Sequence, residues 1–185
     1  MRRARLTRLL IALSAGTVVC AAAQAAEVSL KVSVSEQKMY LYQNGRKVRS
    51  YDVSTSKYGT GSRLGSLKTP LGRHRIARKI GAGAPVHTIF RNRVNLRRTA
   101  AVDRTLKGAP EDLVTTRILW LEGLEKGRNK GGRIDSFRRL IYIHGTPSEG
   151  LIGRPASNGC VRMRNQDVID LFDRVPLGTP VLIEP

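Results

Sequence analysis

The fold class this sequence predicts is mainly β, with one or two short helices, and three observations point to it. In VSLKVSV, apolar Val28, Leu30, Val32 and Val34 alternate with polar residues, so they share one face of an extended chain. Asn44-Gly45 stands between two β-rich runs, the strongest short hairpin signal a sequence carries. Helical spacing of apolar residues is concentrated in one late stretch, NQDVIDLFDRV. Domains of this class close or stack their sheets around a single core.

The chain opens with Arg2, Arg3, Arg5 and Arg8, an apolar run from Leu9 to Val19, and then small residues, with Ala23-Gln24-Ala25 of small-x-small form. That is the pattern of a secretory signal, here residues 1–25, and the run is too short for a membrane span of ~20 residues. Val19 before Cys20 departs from the small residue that precedes a lipidated cysteine. Residues 26–185 are of a size for one domain with its own core. They contain no further stretch apolar enough to cross a bilayer, so no integral membrane segment is expected after cleavage.

Strands are expected in VSLKVSV, on both sides of Asn44-Gly45, in GRHRIARKI, VHTIFRNRVNL and TTRILWLEG, in RRLIYIH, and in the closing GTPVLIEP. Gly59, Gly61, Gly65, Gly72 and Pro70 make KYGTGSRLGSLKTPLG a loop. GLEKGRNKGGRIDSF reads as a second loop, basic from Lys126 to Arg133, and the sequence leaves open whether it is a plain solvated surface, a polymer contact or a lid. NQDVIDLFDRV starts on Asn165 as N-cap, with Val168, Ile169, Leu171 and Phe172 as its apolar stripe.

The chain carries 33 Lys and Arg against 14 Asp and Glu, a formal charge of +19. Removing the four arginines of the leader leaves 29 against 14, still about +15, which favours an anionic partner. Export argues against nucleic acid and leaves anionic lipid surfaces or an acidic wall polymer. KYGTGSRLGS lacks the G-K-[ST] ending of a phosphate-binding loop, and His74, His87 and His144 lack metal-ligand spacing. No metal and no cofactor is expected. His74 reads as a structural histidine, and Ile118 and Trp120 as core.

Cys160 is the single cysteine after the leader, so no intramolecular disulfide can form in the mature chain. In an oxidising compartment an unpaired thiol is a buried hydrophobe, a liability or a tool. A thiol of pKa ~8.5 becomes a nucleophile when a histidine takes its proton. His144 follows an apolar run, and GTPSEGLIGRPA, with three glycines and two prolines, forms a loop able to fold back toward ASNGCVRM. The N–H groups of Gly159 and Cys160 offer donors for a developing oxyanion. Arg162 shares a face with Cys160 in extended chain and suits a carboxylate.

IHGT, a Gly/Pro loop and ASNGCVRM together resemble the signature of the L,D-transpeptidase catalytic domain family (YkuD-type), HGT…S-H-G-C-[IV]-R-[ML]. VSTSK, KTPLGRHRI and VPLGTPVLI are similar to other segments of that family, and the resemblance runs from about residue 28 to 185. It implies a β-sandwich with Cys160 as acyl-accepting nucleophile, His144 as base, the Gly145 carbonyl orienting the imidazole, and Gly159 N–H in the oxyanion hole. It also implies Ser157, Asn158, Arg162 and Thr146 on the substrate side. The implied partners are peptidoglycan stem peptides and an acceptor amine on a second stem or a protein lysine, in the periplasm or cell envelope. The alternatives are a hydrolytic L,D-carboxypeptidase on the same site and a non-catalytic wall-binding protein. Two departures stand out: Asn158 replaces the family's usual histidine, and Ser56 replaces a frequent glycine after VST.

Overall fold

The structure, a computed structural model, describes residues 27–185. The expected signal peptide and its cleavage site lie outside the described residues. The described residues form ten strands, one α-helix and two short 3₁₀ turns. In order these are β1 (Val28–Ser33), β2 (Lys38–Gln43), β3 (Arg46–Asp52), β4 (Gly72–Ile80), β5 (Thr88–Arg91), β6 (Val94–Thr99), β7 (Val114–Gly123), β8 (Tyr142–Gly145), β9 (Val161–Met163), α1 (Asn165–Arg174) and β10 (Pro180–Glu184). The 3₁₀ turns cover Gly132–Ile134 and Glu149–Leu151.

The strands form one sheet, running β3-β2-β1-β10-β4-β7-β5-β6, with β8 branching from β7 and pairing in turn with β9. The two layers of the expected sandwich are therefore joined through β7. Ile118 of β7 pairs with Ile80 of β4 and with His144 of β8, so those neighbours lie on its opposite edges. The far end also returns: the Ser54 N–H donates to Arg162 O and the Arg162 N–H to Ser54 O, each at 2.9 Å. Pairing at both ends leaves β9 without an open edge at the point where function is expected.

The alternation read in the first strand holds. Leu30 and Val32 are buried, and half-buried Val28 and Val34 pack against the same core. Met39, Leu41, Ile76, Leu119, Leu121, Ile143, Val161, Met163, Leu171 and Ile183 are among its other members. Asn44 (φ 48) and Gly45 (φ 74) close the β2–β3 hairpin in the left-handed conformation that such turns require.

Three expectations are corrected. VHTIFRNRVNL is a hairpin, β5 and β6, turning at Asn92 and Arg93, both with positive φ (49° and 69°). The strand in RRLIYIH begins only at Tyr142, because Leu140 at φ 59° interrupts the extended run. Asn165 is the first helical residue and Arg164 the N-cap, without a side-chain cap bond; the Asn165 amide faces inward to bonds with other elements.

Candidate active site

β8 and β9 run parallel, with His144 paired to Arg162 and Ile143 to Val161. Period-two alternation sends Ile143, Val161 and Met163 into the core and turns Tyr142, His144, Cys160 and Arg162 to the other face. There His144, Ser157, Asn158, Cys160 and Arg162 line one cavity of about 80 Å³, together with Asp112 and Val114. The pattern of two short strands thus brings the sequence's candidate nucleophile, base and cation together.

His144 is buried, and its Nδ1 lies 2.7 Å from the Gly145 carbonyl. A carbonyl only accepts, so Nδ1 carries the proton and Nε2 is left with the lone pair a base requires. Gly145 is needed for space: a Cβ there would stand 2.7 Å from Asn165 Oδ1 and 2.8 Å from Thr115 O. The Cys160 thiol accepts from the Tyr142 N–H and donates to Leu140 O, both at 3.4 Å. It makes no direct hydrogen bond to His144. Burial pushes the thiol up to about 11, opposed mainly by the Tyr142 N–H. Burial likewise lowers the imidazole to about 4. The resting pair is therefore a neutral thiol beside a neutral imidazole.

The loop that carries the cysteine is fixed from two sides. The Ser157 hydroxyl donates to Cys160 O at 2.6 Å and accepts from the Gly159 N–H at 3.2 Å. Thr69, from the KTPLG segment, donates through Oγ1 to Gly159 O at 3.0 Å and accepts the Ser56 N–H at 3.0 Å. The threonine of the TP motif is thus a support for the cysteine loop. Gly159 sits at φ 121°, a conformation that excludes other residues. Ser56, where glycine is frequent in the resembled family, uses its hydroxyl to bond Leu67 O at 2.6 Å behind this loop.

Two candidates are placed differently from the expectation. The Gly159 N–H donates to Ser157 Oγ at 3.2 Å, while the Cys160 N–H has no protein partner among the described residues. Thr146 is fully buried, with its hydroxyl accepting the Ser148 N–H and its carbonyl holding Asn165, so it supports the turn after β8 and does not line the cavity. Asn158 and Arg162 do line it, and both contact Asp112, a residue the sequence reading passed over. No local signal marks it, since its partners lie far along the chain.

The remaining candidates fall away from the chemistry. His74 is buried between Gly72 O and Ser136 Oγ, each 2.9 Å from a ring nitrogen, and is structural as expected. Trp120 stacks on Phe137 at 4.0 Å and belongs to a small apolar cluster beside Cys160. The basic loop 126–133 is tied down by Arg128–Glu125 and Lys130–Glu122 ion pairs and lines none of the cavities around Cys160.

The β8–β9 end of the sheet thus presents a cysteine, a histidine whose Nε2 carries the lone pair, and a buried arginine to one cavity. The profile of the YkuD L,D-transpeptidase catalytic domain matches residues 27–183, and the chain belongs to that family. It is similar to the putative L,D-transpeptidase YqjB of Bacillus subtilis, 51% identical over 45 residues, which cover 24% of this chain and 26% of that protein. It is similar also to the putative L,D-transpeptidase YkuD of the same organism, 40% identical over 65 residues, 32% of this chain and 40% of the relative. The probable L,D-transpeptidase YbiS of Escherichia coli is 54% identical over 43 residues, 23% of this chain and 14% of the relative. The chain thus spans well under half the length of these curated relatives.

Among solved structures, L,D-transpeptidase 3 of Mycobacterium tuberculosis aligns with a TM-score of 0.53 at 14% identity, covering 86% of this chain and 62% of that one. The L,D-transpeptidase of Mycobacterium smegmatis gives 0.52 at 19%, covering 86% and 59%. An L,D-transpeptidase in complex with imipenem also gives 0.52, at 16% identity and the same coverage. At these identities the likeness shows the fold.

Proposed function

We propose that this chain is an exported L,D-transpeptidase acting on peptidoglycan stem peptides. The observation that carries the reading is the single pocket lined by Cys160, His144 and Arg162, on a chain that belongs to this family. A stem tetrapeptide places the carbonyl between its third residue and terminal D-Ala over Cys160. As Sγ attacks the carbonyl carbon, the thiol proton passes to Nε2 of His144, whose Nδ1–H stays on the Gly145 carbonyl. The oxygen that becomes negative is received by the Cys160 N–H. Collapse breaks the peptide bond, His144 returns the proton to the leaving amine, and D-Ala departs, leaving a thioester.

An acceptor amine then attacks the thioester, His144 takes its proton, and the thiolate leaves to be reprotonated. The neutral resting pair suits this cycle, because proton transfer is coupled to attack instead of preceding it. Among the described residues no helix is long and apolar enough to cross a membrane; export rests on the leader pattern of residues 1–25.

The test incubates the mature protein and its Cys160→Ala form with a disaccharide-tetrapeptide and follows D-Ala release by mass spectrometry. Cysteine-dependent release supports acyl transfer, and crosslinked dimer over tripeptide identifies an amine as acceptor. Release that survives Cys160→Ala rules the reading out. The solved imipenem complex of a relative motivates a second expectation, a carbapenem adduct on Cys160 seen as an intact-mass increase.

A further inference from the structure

Arg162 is buried, its side chain 6% exposed, and a buried guanidinium without an anion is strongly destabilising. Its anion is Asp112: Oδ2 lies 2.5 Å from the Arg162 guanidinium and 2.8 Å from Asn158 Nδ2. The Asp112 side chain is 37% exposed and reaches this site from outside, on the irregular segment 100–113 between β6 and β7.

That segment is anchored at its start and middle but not at its end. The Ala100 N–H donates to His87 O, the Asp103 N–H to Pro147 O and the Ala109 N–H to Ser148 Oγ. From Pro110 to Leu113 the backbone makes only one bond among the described residues, from the Leu113 N–H to Glu111 O within the segment itself. The Asp112 carboxylate is the main polar link between this stretch and the catalytic face. Asp112 and Val114 also form the wall between the 80 Å³ catalytic cavity and a larger one of about 560 Å³, lined by Phe90, Arg91, Asn92 and Arg98. Sites for drug-sized ligands run ~300–1,000 Å³, so the cavity of about 80 Å³ as it stands is too small for a stem peptide.

We propose that Asp112 is a specificity-determining residue: its carboxylate holds, on Arg162 and Asn158, the place of a substrate carboxylate, and only a ligand bearing such a group displaces it. This rests on the reading that Arg162 receives the carboxylate end of the donor. The exchange is like for like. An incoming carboxylate lets Asp112 withdraw while Arg162 keeps an anion throughout, and the two cavities merge into one channel past Cys160. A ligand whose end is amidated offers no replacement charge, so Asp112 stays and the cavity stays closed. The ligand class selected is therefore a peptide or amino acid with a free carboxylate within reach of the thiol.

The experiment compares alkylation of Cys160 by iodoacetate and by iodoacetamide, which differ in the carboxylate; in both, the thiolate sulfur displaces iodide from the reagent's CH₂ and iodide leaves to solvent. Rates are read by intact mass on the mature protein at constant pH and low salt. Asp112→Asn is expected to raise the iodoacetate-to-iodoacetamide rate ratio about tenfold or more, since Arg162 and Asn158 then face an open anion site. Asp112→Glu keeps the ratio near the parent's and shows that the segment still folds over the site. Glu111→Gln, which removes a charge from the same segment without touching Arg162, leaves the ratio within about twofold. An unchanged ratio in Asp112→Asn, or an equal rise in both rates, overturns the proposal, as does a Glu111→Gln effect as large as that of Asp112→Asn. Since alkylation needs only the thiol, a shifted ratio in a protein that never releases D-Ala sustains the Asp112 assignment while the transpeptidase reading fails.

Discussion

His144 and Cys160 have been displaced in opposite directions by the same cause. Burial lowers the imidazole to about 4 and raises the thiol to about 11, so at pH 7 neither carries charge and no thiolate–imidazolium pair is stored. The alkylation rate of Cys160 by a neutral reagent should therefore climb steadily from pH 7 to pH 10. A plateau below pH 7, measured by iodoacetamide kinetics, would mean that an ion pair forms at rest. Gly145 is equally constrained, since Gly145→Ala puts a Cβ against Asn165 Oδ1 and Thr115 O. Relieving that contact should cost about 1–3 kcal/mol in urea-unfolding stability and move the carbonyl that pins Nδ1, so kcat should fall further than the lost stability explains. The same residues show why the chemistry was legible in part. His144 and Arg162 lie on adjacent strands in short motifs that read directly from the sequence, with Cys160 just before the second of them, whereas Asp112 belongs to an irregular segment and meets them only through the fold.

α1 is attached to the catalytic strands through its first residue. Asn165 Nδ2 donates to Thr146 O and to Glu149 Oε1, each at 2.8 Å, while Oδ1 accepts from Thr115 Oγ1 at 2.6 Å and Thr116 Oγ1 at 2.5 Å. Asn165→Ala strands several buried donors and acceptors at once and should lose about 2–4 kcal/mol, far more than the ~1 kcal/mol of an exposed cap. A loss near 1 kcal/mol by chemical denaturation would show that Asn165 acts as the N-cap its sequence position suggested. Turn chemistry explains the other differences between expected and observed elements. The β2–β3 hairpin was readable because Asn44-Gly45 names its own geometry. The β5–β6 turn was not, because Arg93 adopts φ 69° with no glycine to announce it. Arg93 is held there by the indole of Trp120, 5.0 Å from its guanidinium, and by the Tyr142 hydroxyl at 3.3 Å, contacts between elements that no local window contains. Leu140 similarly opens an apolar run that reads as strand but at φ 59° stays outside it, and its carbonyl is then free to accept the Cys160 thiol.

The two buried histidines also tie the stability of the domain to pH. His74 and His144 are each lowered from 6.5 to about 4, first of all by burial, in sites whose partners accept from or pack against a neutral ring. As pH falls through 6.5 the unfolded chain binds a proton on each, and the folded chain does so only near pH 4. The unfolded state thus holds more protons across this window, and stability falls as pH falls. At pH 5 the loss amounts to about 2 kcal/mol per histidine, or about 4 for the pair. The ion-paired carboxylates Asp52, Glu122 and Glu125 are lowered from ordinary values of 3.8 to 4.5, so they titrate below this window. Asp167, raised by burial, works in the opposite direction toward its lower end. Urea unfolding at pH 7, 6 and 5 should show the midpoint dropping steadily, and His74→Gln should halve the slope whatever it does to stability at pH 7. A midpoint that does not move over this range would mean that both imidazoles take up protons in the folded state. His144 would then have to reach water more readily than its 3% exposure allows, and the neutral base that the proposed acyl-transfer cycle needs would be charged in mildly acidic surroundings.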